Sequence, residues 1–215
     1  MSYSICPGYL LYFSQPGFKH LKACFLTVMV FAIGLLNPET SLSQSSYKIF
    51  NSGTDQIKLS GTSTLHDWTM ASQSVNGQGQ FIITNNMIGS ITGLNFILQV
   101  QNLKSNDNAM DHNAWKALKY EQFPNILYKL KKSQIKPASG NQQSILTLGE
   151  LTIAGVAKEI SMEVTCLVKA DKTISCKGSK KLNMTDFQVE PPSFLMGAMK
   201  TGNEIELQFD LILKQ

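Results

Sequence analysis

The sequence predicts an all-β fold, an eight-stranded antiparallel barrel with one short helix in a crossover loop. Three observations predict it. Apolar and polar residues alternate with a period of two along most of the chain, turn-forming residues separate the alternating runs, and one segment has helical spacing. Antiparallel strands joined by short turns bury one face and expose the other, so many such strands in one domain indicate a sandwich or a barrel.

The alternation is longest before the C-terminus, where Ile205, Leu207 and Phe209 share one face and Glu206 and Gln208 share the other. Eight or nine strands are predicted in all. The others lie at Tyr47–Asn51, Ile57–Leu65, Gln78–Thr84, Asn95–Gln101, Ile126–Lys132, Ile145–Ile153, Glu159–Val168 and Thr173–Leu182. Predicted turns separate them at Asn51-Ser52-Gly53, Asn85-Asn86, Ser139-Gly140-Asn141, Ala154-Gly155 and Thr201-Gly202-Asn203.

The spacing becomes helical between Ser105 and Lys119. Met110, Ala114 and Leu118 fall on one helix face, which we expect to meet the barrel and cap one of its ends. Trp115 lies beside that face, close enough to reach the mouth of the barrel. A single helix is therefore predicted between two strands.

The N-terminal segment has the layout of a secretory signal peptide. Basic residues precede an uncharged apolar run from Cys24 to Leu36, and small residues at Ser41 and Ser43 predict cleavage after Ser43. The alternative is a membrane anchor, but the run is shorter than the ~17–25 residues that span hydrocarbon. We therefore predict that residues 1–43 are removed, that residues 44–215 form one domain, and that the protein is periplasmic or secreted.

Composition excludes several functions. The 215 residues include 19 lysines, no arginine and 15 acidic residues, and the lysines are scattered, which argues against a nucleic-acid partner. No nucleophile elbow, phosphate-binding loop or dinucleotide fingerprint is present. His66-Asp67 and Asp111-His112 are adjacent pairs whose side chains point in different directions, so neither forms a metal chelate by spacing alone. We predict no catalytic residue, no metal and no cofactor.

Cys166 and Cys176 lie on consecutive predicted strands. If Ala170-Asp171-Lys172 form the loop between them, the two cysteines are directly opposed and close enough for a disulfide once the pair of strands tightens. Export to an oxidising compartment favours the bridge. Two buried free thiols are the alternative.

Four segments resemble the YceI-like family, and the resemblance extends over nearly all of residues 46–214. They are Gly61–Trp68, Phe123–Ile126, Leu148–Lys158 and Leu182–Phe187 with Pro191-Pro192. The resemblance implies a lipocalin-like barrel in the bacterial periplasm that binds a polyisoprenoid or another long apolar amphiphile. Ser105–Asp111 replaces the family's Arg-Asp-His type of segment before the helix, so a head-group contact carried by that segment is not transferred.

The implied ligand would lie in a tunnel lined by the inward faces of the strands. Trp68 either lines this tunnel or pins the barrel end, and the apolar loop from Asn183 to Gly202 either closes the mouth or packs on the barrel. The predicted ligand-binding residues are Trp68, Phe96, Leu98, Val100, Met110, Trp115, Met162, Val164, Met184, Phe187, Phe194, Leu207 and Phe209.

Three functions remain open at the level of sequence. The first is an exported binding protein whose partners are a long-chain lipid or isoprenoid and, transiently, a membrane. The second is an envelope barrel with a filled core and a protein partner. The third is a lipid-modifying enzyme that uses His66, Asp67 or Asp186. A continuous apolar tunnel would favour the binding protein. A solid core would favour the envelope barrel, and a small polar pocket would favour the enzyme. The oligomeric state is left undefined.

Overall fold

A computed structural model describes residues 44–137, 140–194 and 199–215, without the side chains of Phe194 and Met199. The predicted signal peptide, residues 1–43, lies outside this part of the chain. The described strands are β1 (Gln44–Ile49), β2 (Ile57–Ser63), β3 (Trp68–Ser72), β4 (Asn76–Thr84), β5 (Met87–Gln99), β6 (Asn125–Ile135), β7 (Gln142–Ile153), β8 (Val156–Val168), β9 (Ile174–Asn183), β10 (Ser193–Phe194) and β11 (Met199–Lys214). The described residues form one α helix, α1 (Asn108–Ala117). No described helix has the length and apolarity that crossing a bilayer requires.

The strands close into an antiparallel barrel of eight strands, as the sequence predicts. The order around the ring is β1-β4-β5-β6-β7-β8-β9-β11, and β11 pairs back onto β1 at Leu213 and Lys214. β2 continues the line of β1 along the same edge of β11, and β3 continues the line of β4. Main-chain hydrogen bonds therefore close the ring. Every second side chain along each strand faces its interior.

The core divides into a lower half and an upper half, the upper end being the one that carries α1. In the lower half, large side chains including Tyr47, Phe81 and Ile145 fill the interior. In the upper half, apolar groups from the strands meet the helix and the segment before β10. The lower half is thus a packed core, and the upper half is where space for another molecule remains.

Cys166 and Cys176 are joined by a disulfide across β8 and β9 in the lower half. Their Cα atoms are 4.2 Å apart, and the ladder pairs the two residues directly. The register that the sequence predicts for this hairpin is the observed one, because the turn after Val168 is tight enough to keep the two strands in step.

The structure corrects three details of the predicted elements. Thr201-Gly202-Asn203, expected as a turn, lies inside β11, where the ladder with β2 shifts register. β3, β10 and the first half of β5 were not predicted, because β3 and β10 have only five and two residues and because glycine and polar residues interrupt the alternation in β5. The helix is shorter than Ser105–Lys119, since the Asp107 side chain caps its first turn by accepting from the N–H groups of Ala109 and Met110.

A glutamine side chain completes the ring where β5 and β6 separate. The ladder between these strands covers only Asn95–Gln99 of β5, so the backbone of Ile88 lacks a partner from β6. The buried Gln143 side chain replaces that strand: its Oε1 accepts from the Ile88 N–H at 2.7 Å and its Nε2 donates to the Ile88 carbonyl at 3.0 Å. Both residues are almost fully buried, so no solvent can replace either hydrogen bond.

We predict that Gln143→Leu lowers the free energy of unfolding by about 2 to 4 kcal/mol, because two buried backbone groups lose their partners. Urea denaturation of both proteins measures the difference. Gln142→Leu is the matched control, since Gln142 is exposed on the same strand, and we expect it to change stability by less than about 0.5 kcal/mol. Equal losses in the two variants would show that the Gln143 amide does not support the ring.

Candidate functional site: an apolar cavity in the upper half of the barrel

The upper half of the barrel encloses a cavity of about 390 Å³ that opens at the upper end. Its volume lies within the ~300–1,000 Å³ that is usual for small-molecule sites. The walls are mainly apolar and come from seven strands, α1 and the segment between β9 and β10. They include Ile57, Leu59, Met70, Leu98, Leu103, Ala117, Leu118, Ile126, Leu151, Ile153, Leu182, Val189 and Ile205.

The helix forms one wall of the cavity. Met110, Ala114 and Leu118 face the barrel, as their spacing predicts, while Lys116 and Lys119 are exposed. Contacts with Leu103 and Ser105, in the segment just before the helix, hold α1 in place.

Two buried side chains supply the attachment. The indole N–H of Trp115 donates to the Leu103 carbonyl at 2.9 Å, and the Lys104 ammonium lies 4.1 Å from the centre of the Trp115 ring. The carboxylate of Asp111, which is 2% exposed, accepts from the Ser105 N–H at 2.6 Å and from the Ser105 hydroxyl at 2.7 Å. Charge-assisted hydrogen bonds of this kind are stronger than neutral ones.

Trp68 also lines the cavity. Its ring lies against Gly61 on the neighbouring strand, where a Cβ atom would overlap the indole. The indole N–H donates to the Thr62 carbonyl at 3.1 Å. Trp68 therefore does both things that the sequence left open: it pins the upper end of β2 and presents an aromatic face to the cavity.

Three large side chains separate the cavity from the packed lower half. They are Phe96, Tyr128 and Met162, and we call them the aromatic floor after its two stacked rings. The rings of Phe96 and Tyr128 are stacked with centroids 6.0 Å apart, and all three residues contact the upper cluster while lining a void of about 40 Å³ beneath. The expected continuous tunnel is thus divided, because these large side chains fill the narrow interior of the ring.

The hydroxyl of Tyr128 has no hydrogen-bond partner within the described part of the chain. The nearby Thr147 hydroxyl donates instead to the Met162 carbonyl, at 3.1 Å. Burial raises the pKa of the Tyr128 phenol. The phenol is therefore neutral at physiological pH and leaves the floor uncharged.

Seven polar residues contribute to the lining of the cavity, and we call them its rim. They are Ser63, His66, Asp107, Asn113, Asn183, Lys200 and Thr201. All of them are exposed or half-buried. The ring nitrogen Nδ1 of His66 is 2.9 Å from the Asp67 carbonyl oxygen, and the Asp107 carboxylate is engaged in capping the helix. Such an arrangement suits an amphiphile whose chain lies in the barrel and whose polar end remains near water.

The structure distributes the predicted ligand-binding residues over three places. Six line the cavity, four line the void below the cavity, and two are buried without lining either. The cavity group is Trp68, Leu98, Met110, Met184, Phe187 and Leu207. The lower group is Phe96, Met162, Val164 and Phe209, and the remaining pair is Val100 and Trp115. The side chain of Phe194 lies outside the described residues.

Several cavity residues were not singled out in the sequence, although a signal for them was present. Ile205 shares a face with Leu207, and Ile57 and Leu59 share a face of β2. Strand periodicity already puts Ile205 on the face of Leu207, and it could have placed Ile57 and Leu59 on the interior in the same way. The contributions of Leu103 and Val189 could not be read in this way, because both lie in irregular segments that tertiary contacts position.

The residues that the sequence offered for metal binding or catalysis do not come together in the described part of the chain. Among the described residues no three His, Cys, Asp or Glu side chains come together as a metal site. His66 and Asp67 are both exposed, and the ring of His66 contacts the main chain of Asp67. The buried Asp111 is held by Ser105 and does not line the cavity.

A closed antiparallel barrel with one helix over an apolar cavity is an architecture found among small-ligand binding proteins. The family model for the YceI-like domain matches residues 39–213. The chain belongs to the YceI-like family. No curated protein matches it.

Solved structures share the fold at low sequence identity. The crystal structure of BcnA from Burkholderia cenocepacia is 18% identical with a TM-score of 0.56, covering 73% of this chain and 95% of that one. A polyisoprenoid binding domain from Saccharophagus degradans, implicated in plant cell wall breakdown, is 9% identical with a TM-score of 0.60, covering 78% and 97%. A mutant YceI protein of Campylobacter jejuni is 16% identical with a TM-score of 0.51, covering 66% and 82%.

We predict that Gly61→Ala displaces the Trp68 ring, because the added Cβ would occupy the same space as the indole. Overpacking of this kind costs about 1 to 3 kcal/mol of stability. Thermal denaturation measures the loss, and a shift in tryptophan emission reports the movement.

Gly93→Ala is the control for this substitution, since a Cβ at Gly93 meets nothing within 4 Å. We expect it to leave the emission spectrum unchanged. If Gly61→Ala were as stable as Gly93→Ala and had the wild-type spectrum, Trp68 would not be held against Gly61.

Proposed function

We propose that this protein binds a long apolar lipid, of the polyisoprenoid or fatty-acyl type, in the upper cavity of the barrel. The observation that carries the proposal is the open apolar cavity of about 390 Å³ above the aromatic floor. Membership of the YceI-like family supports it, as does the fold shared with a domain whose described ligand is a polyisoprenoid.

The composition of the cavity walls favours an apolar ligand chain over a polar molecule. Apart from the rim, the cavity presents aliphatic, methionine and aromatic side chains, and methionines such as Met70, Met110 and Met184 adapt to chains of differing shape. Each methylene group buried there contributes roughly 0.8 kcal/mol. Association costs ~4–15 kcal/mol. A chain of about ten carbons therefore offsets this cost only when most of its length is buried in the cavity.

The packed lower half is the observation that favours the alternative of a structural barrel with a protein partner. Only the lower half is filled, however, and its void is about 40 Å³. A barrel that served purely as a scaffold would gain stability from filling its upper half as well, since each empty volume loses packing contacts. The retained cavity therefore supports ligand binding more strongly.

We predict that Ala114→Phe lowers the affinity for a long-chain alcohol at least tenfold. The phenyl group would occupy the cavity at the helix wall and displace several methylene groups, two of which already account for about a factor of ten. Binding can be followed through the fluorescence of Trp68, which lines the cavity. Because the substitution adds apolar volume to open space, we expect the fold to be retained.

Lys116→Phe is the matched control, because Lys116 lies on the exposed face of the same helix. Its affinity should equal that of the wild type. Equal affinity in Ala114→Phe and Lys116→Phe would mean that the lipid binds elsewhere on the protein.

We also propose that the chain is exported, with cleavage after Ser43. Support comes from the basic, apolar and small-residue order of the segment, and from the pairing of Cys166 with Cys176, since disulfides persist in oxidising compartments. Expression of the full chain in a bacterial host followed by osmotic shock should release a protein whose N-terminal peptide begins at Gln44. A cytoplasmic protein that retains residues 1–43 would contradict export.

A further inference from the structure

Lys200 is the one lysine among the described residues that lines the cavity. It lies at the start of β11, where both neighbouring segments hold its main chain. Its carbonyl accepts from the Thr64 N–H at 3.0 Å, and its N–H donates to the Thr64 hydroxyl at 3.2 Å. On the other side, the ladder with β10 pairs it with Ser193. The exposed side chain of Lys200 therefore extends from a fixed backbone position at the rim.

The positive charge of Lys200 has no ion-pair partner within the described part of the chain. The ion pairs found there belong to other lysines, which are Lys104, Lys131, Lys136, Lys177 and Lys181. Residues 194–199, which precede Lys200, include no acidic residue. The ammonium group can therefore pair with a molecule that enters the cavity.

Asp107 is the acidic residue of the rim, and its charge is already engaged. Its Oδ1 accepts from the N–H groups of Ala109 at 2.7 Å and Met110 at 3.2 Å, and a carboxylate is stabilised by the positive end of the helix dipole. The segment Ser105–Asp111 contains no lysine or arginine. The uncompensated charge of the rim is therefore the positive charge of Lys200.

An ammonium group at the rim distinguishes amphiphiles by the charge of their polar ends. It donates hydrogen bonds and accepts none, and its hydrogen bonds to a carboxylate or a phosphate are roughly twice as strong as those between neutral groups. It repels an amine that carries the same charge. Water screens an exposed ion pair, so the contribution of Lys200 adds to the burial of the chain and does not replace it.

We propose that Lys200 determines the head-group preference of the cavity, and that the ligand is an apolar chain ending in a carboxylate or a phosphate. The chain lies among the apolar walls, and its anionic end lies against the Lys200 ammonium. Thr201, the next residue of the rim, adds a hydroxyl group close to the same position. This inference rests on the proposed lipid-binding function and names the polar end of the ligand.

Four amphiphiles with the same twelve-carbon chain test the head group: dodecanoate, dodecyl phosphate, dodecanol and dodecylamine. At about pH 8 the first two are anions and the amine is a cation. Each is titrated below its critical micelle concentration into the wild type, Lys200→Gln and Lys116→Gln, and binding is followed by tryptophan fluorescence. Lys116→Gln is the matched control, because Lys116 is exposed on α1 and does not line the cavity.

We expect the wild type to bind both anions more tightly than dodecanol, and dodecylamine most weakly. Lys200→Gln should lower the affinity for the anions about three- to tenfold, the loss of one charge-assisted hydrogen bond at an exposed position. Its affinity for dodecanol should be unchanged, which also shows that the variant is folded. A loss confined to one anion would identify that anion as the preferred head group. Lys116→Gln should bind all four ligands like the wild type.

Lys200→Glu extends the test, because reversing the charge should make dodecylamine a better ligand than dodecanoate. Equal losses in Lys200→Gln and Lys116→Gln, a wild type without preference for the anions, or an unchanged order in Lys200→Glu would overturn the role of Lys200 while leaving the cavity as the site. Failure of all four ligands to bind the wild type would overturn the proposed function together with this inference.

Discussion

An eight-stranded ring has an interior wide enough for its own side chains or for one slim ligand, but not for both at the same level. This constraint governs the whole structure. In the lower half, aromatic and aliphatic side chains such as Phe81 and Ile145 occupy the interior. In the upper half, the walls stand apart and the helix covers a part of the opening. The stacked rings of Phe96 and Tyr128 lie between the filled lower half and the hollow upper half.

The ring remains closed although several of its ladders are incomplete. Below, β5 and β6 separate, and the Gln143 amide supplies the hydrogen bonds that a strand would have made to Ile88. Above, the ladder between β8 and β9 ends at Val164 and Gly178, and Ile160 and Phe187 pack in one apolar cluster. Hydrogen bonds of a buried amide fix one geometry, whereas apolar contacts are non-directional. The difference in chemistry therefore matches the difference between a filled half and a hollow half.

Much of this fold could be predicted from local sequence. Period two located most strands, a three-residue turn set the register of Cys166 against Cys176, and helical spacing identified the face with Met110 and Ala114. The depth of the cavity could not be predicted, because every inward position looks equally apolar in the sequence. Whether Phe96 blocks the interior depends on its stacking with Tyr128, a contact between neighbouring strands. The role of Gln143 was also hidden, since its partner Ile88 lies on a strand that only the tertiary structure brings close. The role of Asp111 was hidden because Ser105, expected at the start of the helix, lies before it.

The most direct test of the account is native mass spectrometry of the protein purified from its bacterial host without detergent. We expect a complex with one apolar lipid per chain, which organic extraction removes and which returns when the extracted lipid is added back. The bound mass should fall in the range of long-chain amphiphiles. A chain that is recovered empty, and that stays empty after incubation with long-chain alcohols and prenols, would contradict the claim that the upper cavity is a lipid-binding site.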